Sequence, residues 1–155
     1  MAVTEVLVVY LHFAAMTLIS VSLAIEYLIC VPALARQKVQ LLARIDLLYL
    51  IAAVLAVATG VARLVWFGKG AGFYLHNPVF YLKLALFVAV GLISVPPTMQ
   101  YLRWMRGLKT GTDAVADFEV LRVRRYVLVE LVLFAFIPLL AVLMARGIGI
   151  QTPGN

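Results

Sequence analysis

Four long apolar stretches, at residues 4–31, 43–67, 78–104 and 118–146, constrain this chain more than any other feature. Each exceeds the about 20 helical residues that cross about 30 Å of hydrocarbon. Transmembrane strands are excluded by runs such as Val6 to Tyr10 and Leu131 to Ile137, which are apolar at every position instead of alternating. Composition supports the same reading: 65% of residues are apolar and 13% charged, against about 45–50% and about 25% in soluble domains. A soluble fold could not hide such a surplus, whereas a lipid-facing surface needs no polar coat. The sequence therefore predicts an all-α integral membrane four-helix bundle, built as one transmembrane domain over residues 1–155.

Punctuation separates the spans. Pro32 with Arg36 and Lys38 closes the first, the run from Gly68 to Gly72 with Asn77-Pro78 separates the second from the third, and Gly107 to Gly111 separates the third from the fourth. Pro78 is expected at a helix start, where its missing N–H costs nothing. Pro96, Pro97 and Pro138 fall inside spans and free carbonyls there, so local kinks are expected. The first span lacks the basic start and short core of a signal peptide and is read as part of the mature protein.

Arg36, Lys38, Arg44, Arg103, Arg106, Lys109, Arg122, Arg124 and Arg125 flank the first and third connections, while Arg63, Lys69 and Arg146 lie on the other side. Cytoplasmic loops carry the excess of Lys and Arg. This distribution predicts a bacterial inner-membrane protein with both short connections in the cytoplasm and both termini outside. The net charge of +6 is then a topology signal and an attraction to anionic lipid, not a nucleic-acid footprint. Cys30 is the only cysteine, and no CxxC, HxxxH, GxSxG, P-loop or HExxH pattern is present, which removes disulfide scaffolds and the common zinc, hydrolase and nucleotide motifs.

Ionisable groups inside a span are functional candidates because insertion penalises them. His12, Glu26, Arg63, Lys83 and Glu130 are the ones to weigh. At about 100° per residue, Glu5, His12, Met16, Ile19, Leu23 and Glu26 form one stripe on the first helix, expected to face the interior. Lys83, Phe87, Val90, Ser94 and Pro97 form a second stripe on the third helix, and Ala52, Ala56 and Gly60 make a small-residue row that lets helices approach closely. By depth, His12, Arg63 and Lys83 share the outer half of the bundle, where three potential cations need a neutral member or an anionic ligand among them. His12 reads either as a hydrogen-bonded interior histidine or as a metal or haem ligand. Lys83 and Arg63 either snorkel outward or bind, and His76 reads as a loop histidine. On the inner side, Glu26, Asp46, Arg122, Arg124 and Arg125 are expected to form structural ion pairs. Glu130 lies near the bilayer centre, either as a hydrogen-bonded acid or in a proton path, with Tyr126 one turn earlier as a candidate partner. A copper site would need His12, Met16 and Met144, a weak constellation.

Leu11-His12-Phe13-Ala14, Asp46-Leu47-Leu48-Tyr49, Ala58-Thr59-Gly60-Val61-Ala62-Arg63, Lys69-Gly70, Tyr74, the segment from Asn77-Pro78 to Lys83, and Pro96-Pro97-Thr98 resemble a bacterial four-helix membrane family of unknown function over nearly the whole chain. More distantly, a histidine early in helix one and a lysine early in helix three resemble HemJ-type protoporphyrinogen oxidase, a haem b-binding four-helix membrane protein. That resemblance implies His12 as an axial ligand and Lys83 as a residue assisting binding or catalysis. The chain departs from that family by carrying Glu26 where the family has an arginine near the inner end of helix one, and it lacks the family's tryptophans around the histidine and lysine.

The leading expectation is a haem-binding inner-membrane protein with a redox or tetrapyrrole-related role. His12 would ligate iron, with Lys83 and Arg63 neutralising propionates and Lys83 as the catalytic candidate. A porphyrin substrate, a membrane quinone as electron acceptor and homo-oligomerisation are compatible with this expectation. The rival classes are a non-catalytic module for a metal ion or small anion, and a structural membrane partner.

Overall fold

The computed structural model describes residues 2–67, 72, 76–111 and 115–146. Lys69, Gly70 and Tyr74, used above for topology and resemblance, lie outside the described residues, as does most of the run from Gly68 to Gly72. The chain forms four helices: α1 (Ala2–Ile29), α2 (Arg36–Val65), α3 (Pro78–Lys109) and α4 (Asp117–Ala145). All four are long and apolar enough to cross a membrane. Two boundaries differ from the hydropathy limits by more than two residues: α2 starts at Arg36 and α3 runs on to Lys109. Hydropathy falls where charge begins, but Arg36, Lys38, Arg103 and Arg106 are good helix formers, so the backbone ladder continues past the apolar stretch.

Local chemistry sets the ends. Asn77 caps α3 by accepting from the Val79 N–H at 2.9 Å, and Pro78 takes the first helical position. Asp117 and Glu119 occupy the first turn of α4, where negative charge meets the positive end of the helix dipole. The Asp117 carboxylate also accepts from the Ala33 N–H at 2.8 Å, holding Ala33 in a left-handed conformation (φ 58°) that turns the chain between α1 and α2. Arg36 donates to the Leu108 carbonyl at 3.3 Å, tying the start of α2 to the end of α3.

The helices pack as a ring, α1 against α2, α2 against α3, α3 against α4 and α4 against α1, while the diagonal backbones stay apart among the described residues. Ile19, Leu23, Leu42, Ala52, Ala56, Val90, Tyr101, Val127 and Phe134 fill the centre. Large apolar side chains such as Leu28, Val54, Leu92 and Val142 point outward on all four helices, the surface a bilayer solvates. The α1 stripe faces inward from His12 to Glu26, with Ile19, Leu23 and Glu26 fully enclosed, while Glu5 at its start is exposed. On α3, Val90 and Pro97 are buried and Lys83, Phe87 and Ser94 half-buried. One end of the bundle carries the N-terminus and the α2–α3 connection; the other carries the α1–α2 and α3–α4 connections.

Candidate functional site

Polar side chains gather at two levels of the bundle. At the terminal end, His12 of α1 lies against α2. Its Nδ1 is 3.0 Å from Thr59 Oγ1 and 3.2 Å from the Ala56 carbonyl oxygen. The Thr59 hydroxyl donates to the Leu55 carbonyl at 2.6 Å, so its oxygen is left to accept, and a carbonyl can only accept. Both partners therefore call for a proton on Nδ1. In the neutral ring that leaves the lone pair on Nε2, the arrangement by which a second hydrogen bond orients a ligating histidine. The ring lies against Gly60, where a Cβ would stand 3.4 Å from His12 Cε1, so there is room for a methyl group but not for a long side chain.

The charges of Arg63 and Lys83 both reach His12, and that of Arg63 reaches Lys83. Neither cation pairs with an acid among the described residues. The Arg63 guanidinium sits 5.8 Å from the Phe13 ring centroid and Lys83 Nζ 5.5 Å from that of Phe80, cation–π contacts that leave the hydrogen-bonding edges open. The terminal end thus combines one imidazole with two cations and offers its electrostatics to an anion. His76 is exposed and bonds locally to the Gly72 carbonyl.

The second level lies toward the opposite end and is acidic. Glu26 of α1 and Glu130 of α4 are 2% and 1% exposed, and Asp46 of α2 is buried beside them. The Tyr101 hydroxyl of α3 donates across the diagonal to Glu26 Oε2 at 3.2 Å, and the Thr98 hydroxyl of α3 donates to Asp46 Oδ1 of the neighbouring α2 at 2.8 Å. Glu26 Oε1 and Glu130 Oε1 are buried with no hydrogen-bond partner among the described residues. The three carboxyl groups interact, since Asp46 and Glu130 act on Glu26 and Asp46 acts on Glu130.

Among the described residues, the ion pairs expected for Glu26, Asp46, Arg122 and Arg125 are not formed, the partners of Glu26 and Asp46 being Tyr101 and Thr98. Arg122 and Arg125 are exposed, while the buried positions in the first half of α4 are Val120, Val123, Val127 and Glu130. Arg122 lies over Phe118 at 5.8 Å and Arg124 over Tyr27 at 4.4 Å. These arginines share a depth with the acids but occupy another face, where their charged heads stay out of the apolar centre. Tyr126, four residues before Glu130, is 38% exposed, so the hydrogen bond between them is also absent.

Several contributors were not singled out from sequence as site residues. Tyr49, Thr59 and Thr98 appeared only within shared segments, and Tyr101 not at all. A buried phenol or indole usually needs a hydrogen-bond partner, and that signal applies equally to Trp104, whose Nε1 donates to Glu119 Oε2 at 3.0 Å. Gln100 Nε2 donates to the same oxygen at 3.0 Å, so Glu119 fastens α3 to α4. Cys30 is buried and donates to the Val120 carbonyl at 3.5 Å, the behaviour of a structural cysteine.

Among the described residues, no group of three or more His, Cys, Asp or Glu side chains is arranged to hold a metal ion. No curated protein and no solved structure matches the chain. The family model described as "Predicted membrane protein (DUF2214)" matches residues 4–149, and the chain belongs to that family.

Proposed function

We propose that this membrane protein binds haem b and has a redox or tetrapyrrole-related role, with His12 Nε2 as the iron ligand. The observation that carries this reading is the commitment of Nδ1 to Ala56 and Thr59 beside two cations without acid partners. A single histidine is sufficient to hold haem iron in many proteins. Arg63 and Lys83 supply the charge that two propionates require, so the donor set fits the group. Haem would supply one-electron chemistry at its iron. The chain's own residues anchor and orient the imidazole through Ala56 and Thr59 and balance carboxylate charge through Arg63 and Lys83. In an enzymatic version of this role, Lys83 is the catalytic candidate, a porphyrin the substrate and a membrane quinone the electron acceptor.

An optical spectrum of the gently purified protein tests the reading. The wild type is expected to show a Soret band or to acquire one with added haem, and His12→Ala to lose it. Lys83→Ala should retain the band and bind about tenfold more weakly, the effect of one contact of about 1.4 kcal/mol. A colourless wild type that takes up no added haem, or an unchanged band in His12→Ala, removes His12 from the role. The pair Arg63 and Lys83 would then favour a small-anion module.

The same proposal places the protein in the inner membrane with both termini outside, on the basic residues flanking the α1–α2 and α3–α4 connections. Single cysteines at His76 and Lys109, both exposed, can be placed in a Cys30→Ala background. An impermeant thiol reagent applied to intact cells should label position 76 and spare position 109. Labelling in the reverse pattern overturns the orientation.

A further inference from the structure

Glu26, Asp46 and Glu130 come from three different helices and converge on the centre of a bundle whose four helices are long and apolar enough to span a membrane. Among the described residues no cation pairs with them. Arg122 is exposed over Phe118, the half-buried Arg124 lies over Tyr27, and Tyr101 and Thr98 contribute only neutral hydroxyls. Three negative charges cannot be left together in such surroundings, so something positive must accompany them. The two orphaned oxygens, Glu26 Oε1 and Glu130 Oε1, belong to side chains that are almost wholly buried. Buried acceptors of this kind are normally satisfied. They mark where the compensating species binds.

We propose that Glu26, Asp46 and Glu130 form a proton-exchange site at the centre of the bundle, loaded from the end carrying the α1–α2 and α3–α4 connections. The proton is favoured over a metal ion because the described acids do not form a group able to hold one, whereas protons can reside on carboxyl oxygens one at a time. In loading, a carboxylate oxygen takes a proton from a hydronium ion and leaves water; unloading is the reverse, with no other reactant. Entry from that end follows from position. Glu26 lies in the last turn of α1, bonded to Tyr101, and Glu130 lies deeper along α4. The titratable groups facing the cluster are Glu26 on α1, Asp46 and Tyr49 on α2, Tyr101 on α3 and Glu130 on α4. Cys30 and Arg124 interact beside the end of α1. The inference does not rest on haem binding.

Infrared difference spectroscopy on the full chain in lipid nanodiscs, without added cofactor, tests it. The carbonyl band of a protonated carboxylic acid in apolar surroundings should be present at neutral pH, shift when water is replaced by D2O, and fade as pH rises. E26Q and E130Q should each remove part of the band, and the double variant most of it. Dicyclohexylcarbodiimide, which modifies protonated carboxyls in apolar sites, should label Glu26 or Glu130 of the wild type, as mapped by peptide mass; this arm needs no variant to fold. Absence of the band, a band that ignores D2O, or its full retention in E26Q/E130Q overturns the proposal. Loss of the band and of labelling on adding sodium or calcium at constant pH would mean that a metal cation is the occupant, and overturns it too. Because the readouts are carboxyl groups in cofactor-free protein, failure here and failure of the Soret test are separate results.

Discussion

Tyr101→Ala is expected to destabilise the bundle by about 3 kcal/mol, the low end of the about 3–5 kcal/mol seen when large aromatic side chains are truncated in soluble cores. The low end applies because helices already in lipid gain little from expelling water, so the cost is lost packing and an unsatisfied partner more than lost transfer energy. Tyr101 is fully buried, its ring centroid is 5.7 Å from that of Trp104, and its hydroxyl is the only hydrogen-bond donor to the Glu26 carboxyl group among the described residues. Alanine would remove the ring that spans the diagonal between α3 and α1 and leave Glu26 with neither oxygen bonded. Tyr101→Phe keeps the ring and deletes only the donor, which should cost about 1–3 kcal/mol. Unfolding by a denaturing detergent, followed by circular dichroism, would rank wild type, Phe and Ala in that order. Equal stability of the Ala variant and the wild type would show that Tyr101 does not brace the centre.

Gly60→Leu should abolish the anchoring of His12 as completely as His12→Ala. A Cβ at position 60 already stands 3.4 Å from His12 Cε1, an ordinary contact, so Gly60→Ala is expected to be tolerated. The remaining leucine carbons would have to occupy the space of the imidazole, and overpacking of this kind costs about 1–3 kcal/mol. The cheaper response is for His12 to swing away, breaking its bonds to Ala56 and Thr59. Haem titration of the purified variants reads this directly: Ala at position 60 should bind as the wild type does, and Leu should show no Soret band. Unfolding measurements on the same samples separate displacement of the ring from loss of the fold. A leucine variant that binds haem normally would show that contact with α2 does not hold the imidazole in its working position.

The helical architecture was legible because its cause is local. Four stretches of bilayer length leave little choice of secondary structure, since every backbone polar group in hydrocarbon must be satisfied within its own segment. Asn77-Pro78 announced the start of α3, and the inward direction of His12, Ile19, Leu23 and Glu26 followed from helical periodicity alone. Individual candidate residues were also legible, because an ionisable side chain stands out in an apolar span. Their partners were not.

Glu26 makes the difference plain. Its depth, and that of Arg122 and Arg125, follows from position along each helix at about 1.5 Å per residue, and depth alone suggested ion pairs. Which side chains at one depth meet depends on how each helix is rotated about its axis. A helix that is apolar on nearly every face carries little sequence information about that rotation, because lipid and protein interior are both apolar surroundings. Only packing settled it, turning Arg122 and Arg125 outward, bringing Tyr101 across the diagonal to Glu26, and laying His12 on Gly60. The sequence by itself determined that the chain forms four apolar helices of membrane-spanning length and which polar groups they carry. The tertiary structure decided which of those groups meet, because rotation about a helix axis is set by neighbouring helices and depth is set by the chain.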